Sequence, residues 1–73
     1  MEDEQFLKAL GKKIHDLRKE KGISQEELAE KIGTRHTAIG RIERGEVNSS
    51  INMLRKIAKE LDVNLSDLIN LLI

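Results

Sequence analysis

The stretch Ser24–Gly45, SQEELAEKIGTRHTAIGRIERG, decides the fold. It reads as two short helices joined by a tight turn, and the second carries an outward face rich in Arg. Leu28, Ile32, Ile39 and Ile42 fall where two crossing helices share a core, and Ala29 is small where they approach most closely. Gly33 stands at the turn, where a positive φ is cheap only without a Cβ. Ser24-Gln25-Glu26-Glu27 is a capping box: Ser24 covers the first free amides and Glu27 reaches back. The first helix of the pair is expected over Gln25–Ile32. The second is expected over Arg35–Arg44, ending at Gly45.

Outward from this pair, three more helices account for nearly the whole chain. Phe6, Leu10, Ile14 and Leu17 step by four, four and three, so an amphipathic helix is expected over Asp3–Glu20. Lys21-Gly22 stops it. Glu46–Ser50 is a polar loop. Ser49 or Ser50 caps a fourth helix, whose buried face is marked by Ile51, Leu54, Ala58 and Leu61. Asn64 and Asp67 signal a fifth start, followed by Leu65, Leu68, Ile69, Leu72 and Ile73. No strand pattern, repeat or linker interrupts this order. The expectation is an all-α, compact five-helix bundle forming one domain over residues 1–73.

Composition narrows what such a bundle does. The chain has 13 basic and 13 acidic side chains, which excludes a bulk polycation that coats nucleic acid. The charges are unevenly placed, however. Lys8–Lys21 holds six Lys or Arg against two acids, and Thr34–Gly45 holds three Arg against one Glu. Acids gather at Glu2–Glu4 and at Glu26, Glu27 and Glu30. An oriented binder fits this asymmetry. Phe6 is the sole aromatic residue, so base stacking on aromatic platforms is excluded. With no Cys and two His, no disulfide or structural zinc site is expected, and no cofactor-binding or catalytic motif appears. No apolar run approaches the roughly 20 residues of a membrane span. A soluble, cytoplasmic, non-enzymatic protein with no membrane partner is expected.

The spacing across Ser24–Gly45 is that of a helix-turn-helix, whose second helix enters the DNA major groove. The match extends further, through Leu10-Gly11-Lys12-Lys13-Ile14, Leu17-Arg18, Gly22-Ile23-Ser24-Gln25, Leu28-Ala29, Gly33, Ile39, Ile42-Glu43-Arg44-Gly45, Leu54 and Ile57-Ala58. In these residues the chain resembles the phage-repressor and Cro-type (XRE-like) helix-turn-helix family over almost its whole length. The resemblance implies a lambda-repressor-like five-helix domain that binds palindromic operators in double-stranded DNA as a homodimer and regulates transcription. The short chain also resembles small stand-alone regulators such as restriction–modification controller proteins. Two positions depart from the family pattern. Arg35 replaces the usual Ser or Thr cap of the third helix, leaving Thr34 as a substitute or the cap weak. Gly40 replaces a polar residue, at a cost of about 1 kcal/mol relative to Ala in mid-helix.

With Ile39 and Ile42 facing inward, a step of about 100° per residue puts Thr37, Gly40, Arg41 and Arg44 on the opposite face. Arg41 is the foremost candidate for base contact, because a guanidinium grips guanine O6 and N7 with two hydrogen bonds. Thr37 suits a thymine methyl or a phosphate. Arg35 and His36 stand at the helix start that points into the groove. In isolation Arg41 reads as a solvated surface Arg and His36 equally as a surface imidazole, while Arg35, which would face inward if fully helical, is expected at the helix boundary. Ser24 and Gln25 lie at a helix start that attracts phosphate, and the family clamps the backbone with this Gln. Arg44, Asn48 and Ser49 are further phosphate candidates. The resemblance also implies an Arg18–Glu43 ion pair joining the first and third helices. It implies an RNA polymerase contact through Glu26 and Glu30, which otherwise read as a solvated helix face. A fifth helix over about residues 65–72 is the candidate dimerisation element. Leu65, Leu68, Ile69 and Leu72 form a stripe able to close the core, with its margins and Ile73 left over for a partner. A protein-interaction module such as an antitoxin is the competing reading, since fold alone does not give function.

Overall fold

The computed structural model describes residues 3–70, and among them every regular element is helical. Five helices follow in order: α1 (Asp3–Lys21), α2 (Gln25–Ile32), α3 (His36–Glu43), α4 (Ile51–Glu60) and α5 (Leu65–Ile69). The boundaries follow local chemistry. The Ser24 hydroxyl accepts from the Glu27 amide at 3.0 Å, and the Glu27 carboxylate accepts from the Ser24 amide at 3.2 Å. Gly33 ends α2 at φ 76° and ψ 35°. The Thr34 amide then reaches back to the Ala29 carbonyl at 2.9 Å, which closes the turn into α3. Ser50, not Ser49, caps α4, accepting from the Met53 amide at 3.0 Å.

All five helices contribute to one core. Ile14, Leu28, Ile39, Ile57 and Leu68 are its largest fully buried side chains. Each contributes about 1.5–3 kcal/mol by leaving water. Leu10, Ala29, Ile32, Ile42, Leu54, Ala58 and Leu61 complete the buried set, with Phe6, Leu17, Leu65 and Ile69 packed around it. α1 lies against the carboxyl-terminal end of α3, backbone to backbone. A Cβ on Gly11 would stand 2.4 Å from the Ile42 carbonyl oxygen and 2.5 Å from that of Glu43. A Cβ on Gly45 would stand 2.7 Å from Lys8 Cα. Only glycine permits either approach.

Several expectations from sequence are corrected. α1 runs one residue further, to Lys21. α3 keeps its expected span to within one residue at each end, with Arg35 and Arg44 as its flanking caps, and the Arg35 side chain makes no capping bond. Thr34 does not substitute for it, since Arg35 itself is the N-cap. Ile51 is 60% exposed, whereas Ile57 is fully buried. At about 100° per residue Ile51 keeps the phase of the stripe, roughly 20° from Ala58, but it stands on the first residue of α4, beyond the packed part of the helix. α5 ends at Ile69, and Asn70 leaves the helix with φ −86° and ψ 86°. The dimerisation candidates Leu72 and Ile73 lie outside the described residues. Leu68 is fully buried in the chain's own core, so only Leu65 and Ile69 present partial surface from that set.

Candidate nucleic-acid interface

α3 buries Ile39, Gly40, Ile42 and Glu43 and exposes His36, Thr37 and Arg41. Arg35 projects from the turn before it and is also exposed. Arg35, Thr37 and Arg41 line one shallow concavity together with Gly33, Thr34 and Ala38. Thr37 also borders a second open groove with His36, Arg35, Thr34, Glu26, Ala29 and Glu30. The four base-contact candidates thus lie along the exposed face of α3 and the turn before it, with Glu26 and Glu30 beside Arg35, His36 and Thr37.

Gly40 does not face outward bare. A Cβ there would meet Arg44 Nη1 at 3.1 Å and the Gln25 side-chain oxygen at 3.4 Å. The start of α2 crosses α3 at this point, so Gln25 and Arg44 converge over Gly40 and cover it. Two of the phosphate candidates, far apart in sequence, are therefore neighbours. Asn48 is exposed and Ser49 half-buried in the loop that follows α3. Ser24 is committed to its cap.

Behind this surface lies a buried polar network centred on Glu43. Arg18 grips its carboxylate with two bonds, Nε to Oε2 at 2.7 Å and Nη2 to Oε1 at 3.0 Å. The same guanidinium donates to the Ile23 carbonyl at 2.9 Å. The Gln25 amide donates to Glu43 Oε1 at 3.1 Å, and His15 Nδ1 stands 2.9 Å from the same oxygen. Burial pushes the Glu43 carboxyl upward. The bonds from Arg18, His15 and Gln25, with the charge of Arg18, override it and hold the group below its ordinary value. This network ties α1, α2 and α3 together and fixes the Gln25 side chain from behind.

Three of these features escape sequence reading. His15 reads as a surface residue beside Ile14, yet it is half-buried; its place three residues before Arg18 is the signal that points to it. The Gln25–Glu43 bond spans 18 residues and depends on the angle between α2 and α3. Glu46, just past α3, contacts both outer arginines. It bonds Arg44 Nε at 2.7 Å and stands 3.9 Å from Arg41 Nε. The chain has left its helix there, so no helical period announces it. Among the described residues, no group of three or more acidic or imidazole side chains is placed to hold a metal ion. No helix among them is long and apolar enough to cross a membrane.

The family model described as "Helix-turn-helix" matches residues 14–68. The HTH-type transcriptional regulator SinR of Bacillus licheniformis is 44% identical over 62 residues, covering 84% of this chain and 56% of SinR. PuuR of Escherichia coli K12, also an HTH-type transcriptional regulator, is 37% identical over 59 residues, covering 81% of this chain and 32% of PuuR. The chain therefore spans about half or less of the length of these relatives. Among solved structures, the restriction–modification controller protein C.AhdI of Aeromonas hydrophila superposes with a TM-score of 0.87 at 34% identity. That match covers 93% of this chain and 99% of C.AhdI.

Proposed function

The chain belongs to the helix-turn-helix family, and on that premise we propose that it is a sequence-specific transcriptional regulator binding double-stranded DNA in the cytoplasm. It acts as a homodimer on a palindromic operator, through α3 in the major groove. One observation carries the reading: the exposed set Arg35, His36, Thr37 and Arg41 lies contiguous on α3 and its leading turn, with Gln25 and Arg44 converging at Gly40. Arg41 donates to a guanine edge, while Gln25 and Arg44 hold phosphates and set the register. Ser49 and Asn48 extend the phosphate contacts along the following loop. Glu26 and Glu30 border the same groove on α2 and form an acidic patch that a polymerase subunit can meet beside the DNA.

Selection of sites from random duplex DNA tests this directly. A two-fold-symmetric site is expected, with half-sites about one helical turn apart. Arg41→Ala relaxes preference at one base pair per half-site, by roughly 1–3 kcal/mol of discrimination. Gln25→Ala weakens selected and scrambled duplexes alike. Recovery of no enriched sequence, or identical profiles for the two variants, overturns the assignment.

A further inference from the structure

Glu46 is the only carboxylate that touches the outer arginines of α3 among the described residues. It approaches each from the Nε side: Oε2 lies 2.7 Å from Arg44 Nε and Oε1 lies 3.9 Å from Arg41 Nε. Arg44 Nη2 adds a longer contact of 3.4 Å to Oε1. All three side chains are about half exposed, so the pairs are reached by solvent and can exchange partners. Glu46 meets Arg41 only at Nε and only at 3.9 Å, so it engages neither Nη group, and those two atoms suffice for a bidentate bond to guanine. A second arginine, Arg44, shares the same carboxylate, and its Nη1 lies over Gly40 beside Gln25.

We propose that Glu46 is a specificity-setting residue: it offsets the non-directional charge of Arg41 and Arg44 while leaving the Nη donors of Arg41 unengaged. This rests on the reading that α3 binds DNA. On a scrambled duplex the two arginines act only as charges toward phosphate, and there the carboxylate competes with phosphate for them. On the selected site Arg41 forms a directional bond that Glu46 does not obstruct and helps to aim. The carboxylate therefore penalises wrong DNA more than right DNA, which is discrimination by a built-in repulsive element.

The test compares wild type with Glu46→Gln on the duplex obtained by site selection and on a scrambled duplex of equal composition, across a salt series. Glu46 is exposed and outside the core, so the variant keeps the wild-type melting temperature. Binding to the scrambled duplex is expected to tighten about fivefold, the scale of one unit charge at contact distance in water. Its slope of log affinity against log salt steepens by up to about 0.9, one further phosphate contact. Affinity for the selected site changes less, so the ratio between the two falls. An unchanged scrambled-DNA affinity, or an equal factor on both duplexes, overturns the proposal. If wild type selects a site and Arg41→Ala loses it while Glu46→Gln keeps the ratio, this inference alone fails. If wild type prefers no duplex, the DNA reading fails with it.

Discussion

Glu43 is the residue at which three helices meet, and its charge is compensated rather than solvated. Its side chain is only 3% exposed, and that of Arg18 is 7% exposed. Removing one partner of such a pair costs about 3–5 kcal/mol, because the other charge is left buried and alone. A core in a chain of this size seldom supplies more than about 3–5 kcal/mol in total. Arg18→Met is therefore expected to be largely unfolded at 25 °C by circular dichroism. Combining it with Glu43→Leu removes the orphaned carboxylate and restores a melting transition, and a double variant no more stable than Arg18→Met would refute this. The depressed Glu43 carboxyl also sets an acid limit. Its unfolded value is the ordinary 4.5, and the folded value lies below that. The unfolded chain thus takes up protons first as pH falls. The stabilisation is complete above about pH 5 and drains away as pH drops through the folded value. Thermal midpoints measured over about pH 3–7 should show this acid limb in wild type and a flatter one in Glu43→Gln. The pair itself was legible through the family resemblance, which the phase of Glu43 at the edge of the buried stripe of α3 supported. His15 and the Gln25 tether were not, since their geometry arises only when three helices are docked.

At the scale of elements, two glycines on facing helices have opposite tolerances. Gly11 abuts the backbone carbonyls of Ile42 and Glu43, which cannot move without opening the α1–α3 seam. Gly11→Ala is expected to destabilise by at least about 1–3 kcal/mol through overpacking. At Gly40 a methyl group crowds only the exposed end of Arg44, at 3.1 Å, and meets the tethered Gln25 side chain at an ordinary contact distance of 3.4 Å. Gly40→Ala should gain about 1 kcal/mol of helix propensity and raise the melting temperature by roughly 4–8 °C. It should also displace the two side chains proposed to hold phosphate and weaken DNA binding without altering base preference. A fall in melting temperature at Gly40→Ala, or no fall at Gly11→Ala, contradicts these packing assignments. The helix ends illustrate what local sequence encodes. Ser24, Glu27 and Gly33 act through neighbours within five residues, so their roles were readable. Ile51 followed the apolar spacing of α4 yet lies outside the core, because where a helix overhangs its neighbours is a tertiary fact.

For the whole molecule, the open question of assembly turns on α5. Leu68 closes the core, while Leu65 and Ile69 are only partly covered. A two-fold contact would place the same apolar margin on both subunits and space two copies of α3 along one face of the duplex. Sedimentation velocity at micromolar concentration should show a dimer for wild type. Ile69→Glu should sediment as a monomer with its helical circular dichroism retained, and a wild-type monomer that binds the selected site at full affinity excludes α5 as the pairing element. The order of five helices and most of the core were legible from periodicity alone. A pairing surface was not, because nothing in a single chain's apolar pattern separates surface kept for a partner from surface merely left over. The seam at Gly11 and Gly45 has one more consequence. It holds the carboxyl-terminal end of α3 through backbone atoms, and Ile39 and Ile42 hold the helix through the core, whereas Arg35, His36, Thr37 and Arg41 are all exposed. Mutational drift at Arg35, His36, Thr37 and Arg41 is thus nearly free of folding cost. If these four residues read the DNA as proposed, a lineage carrying this scaffold can change its target in a few steps, and the scaffold invites grafting of foreign residues there.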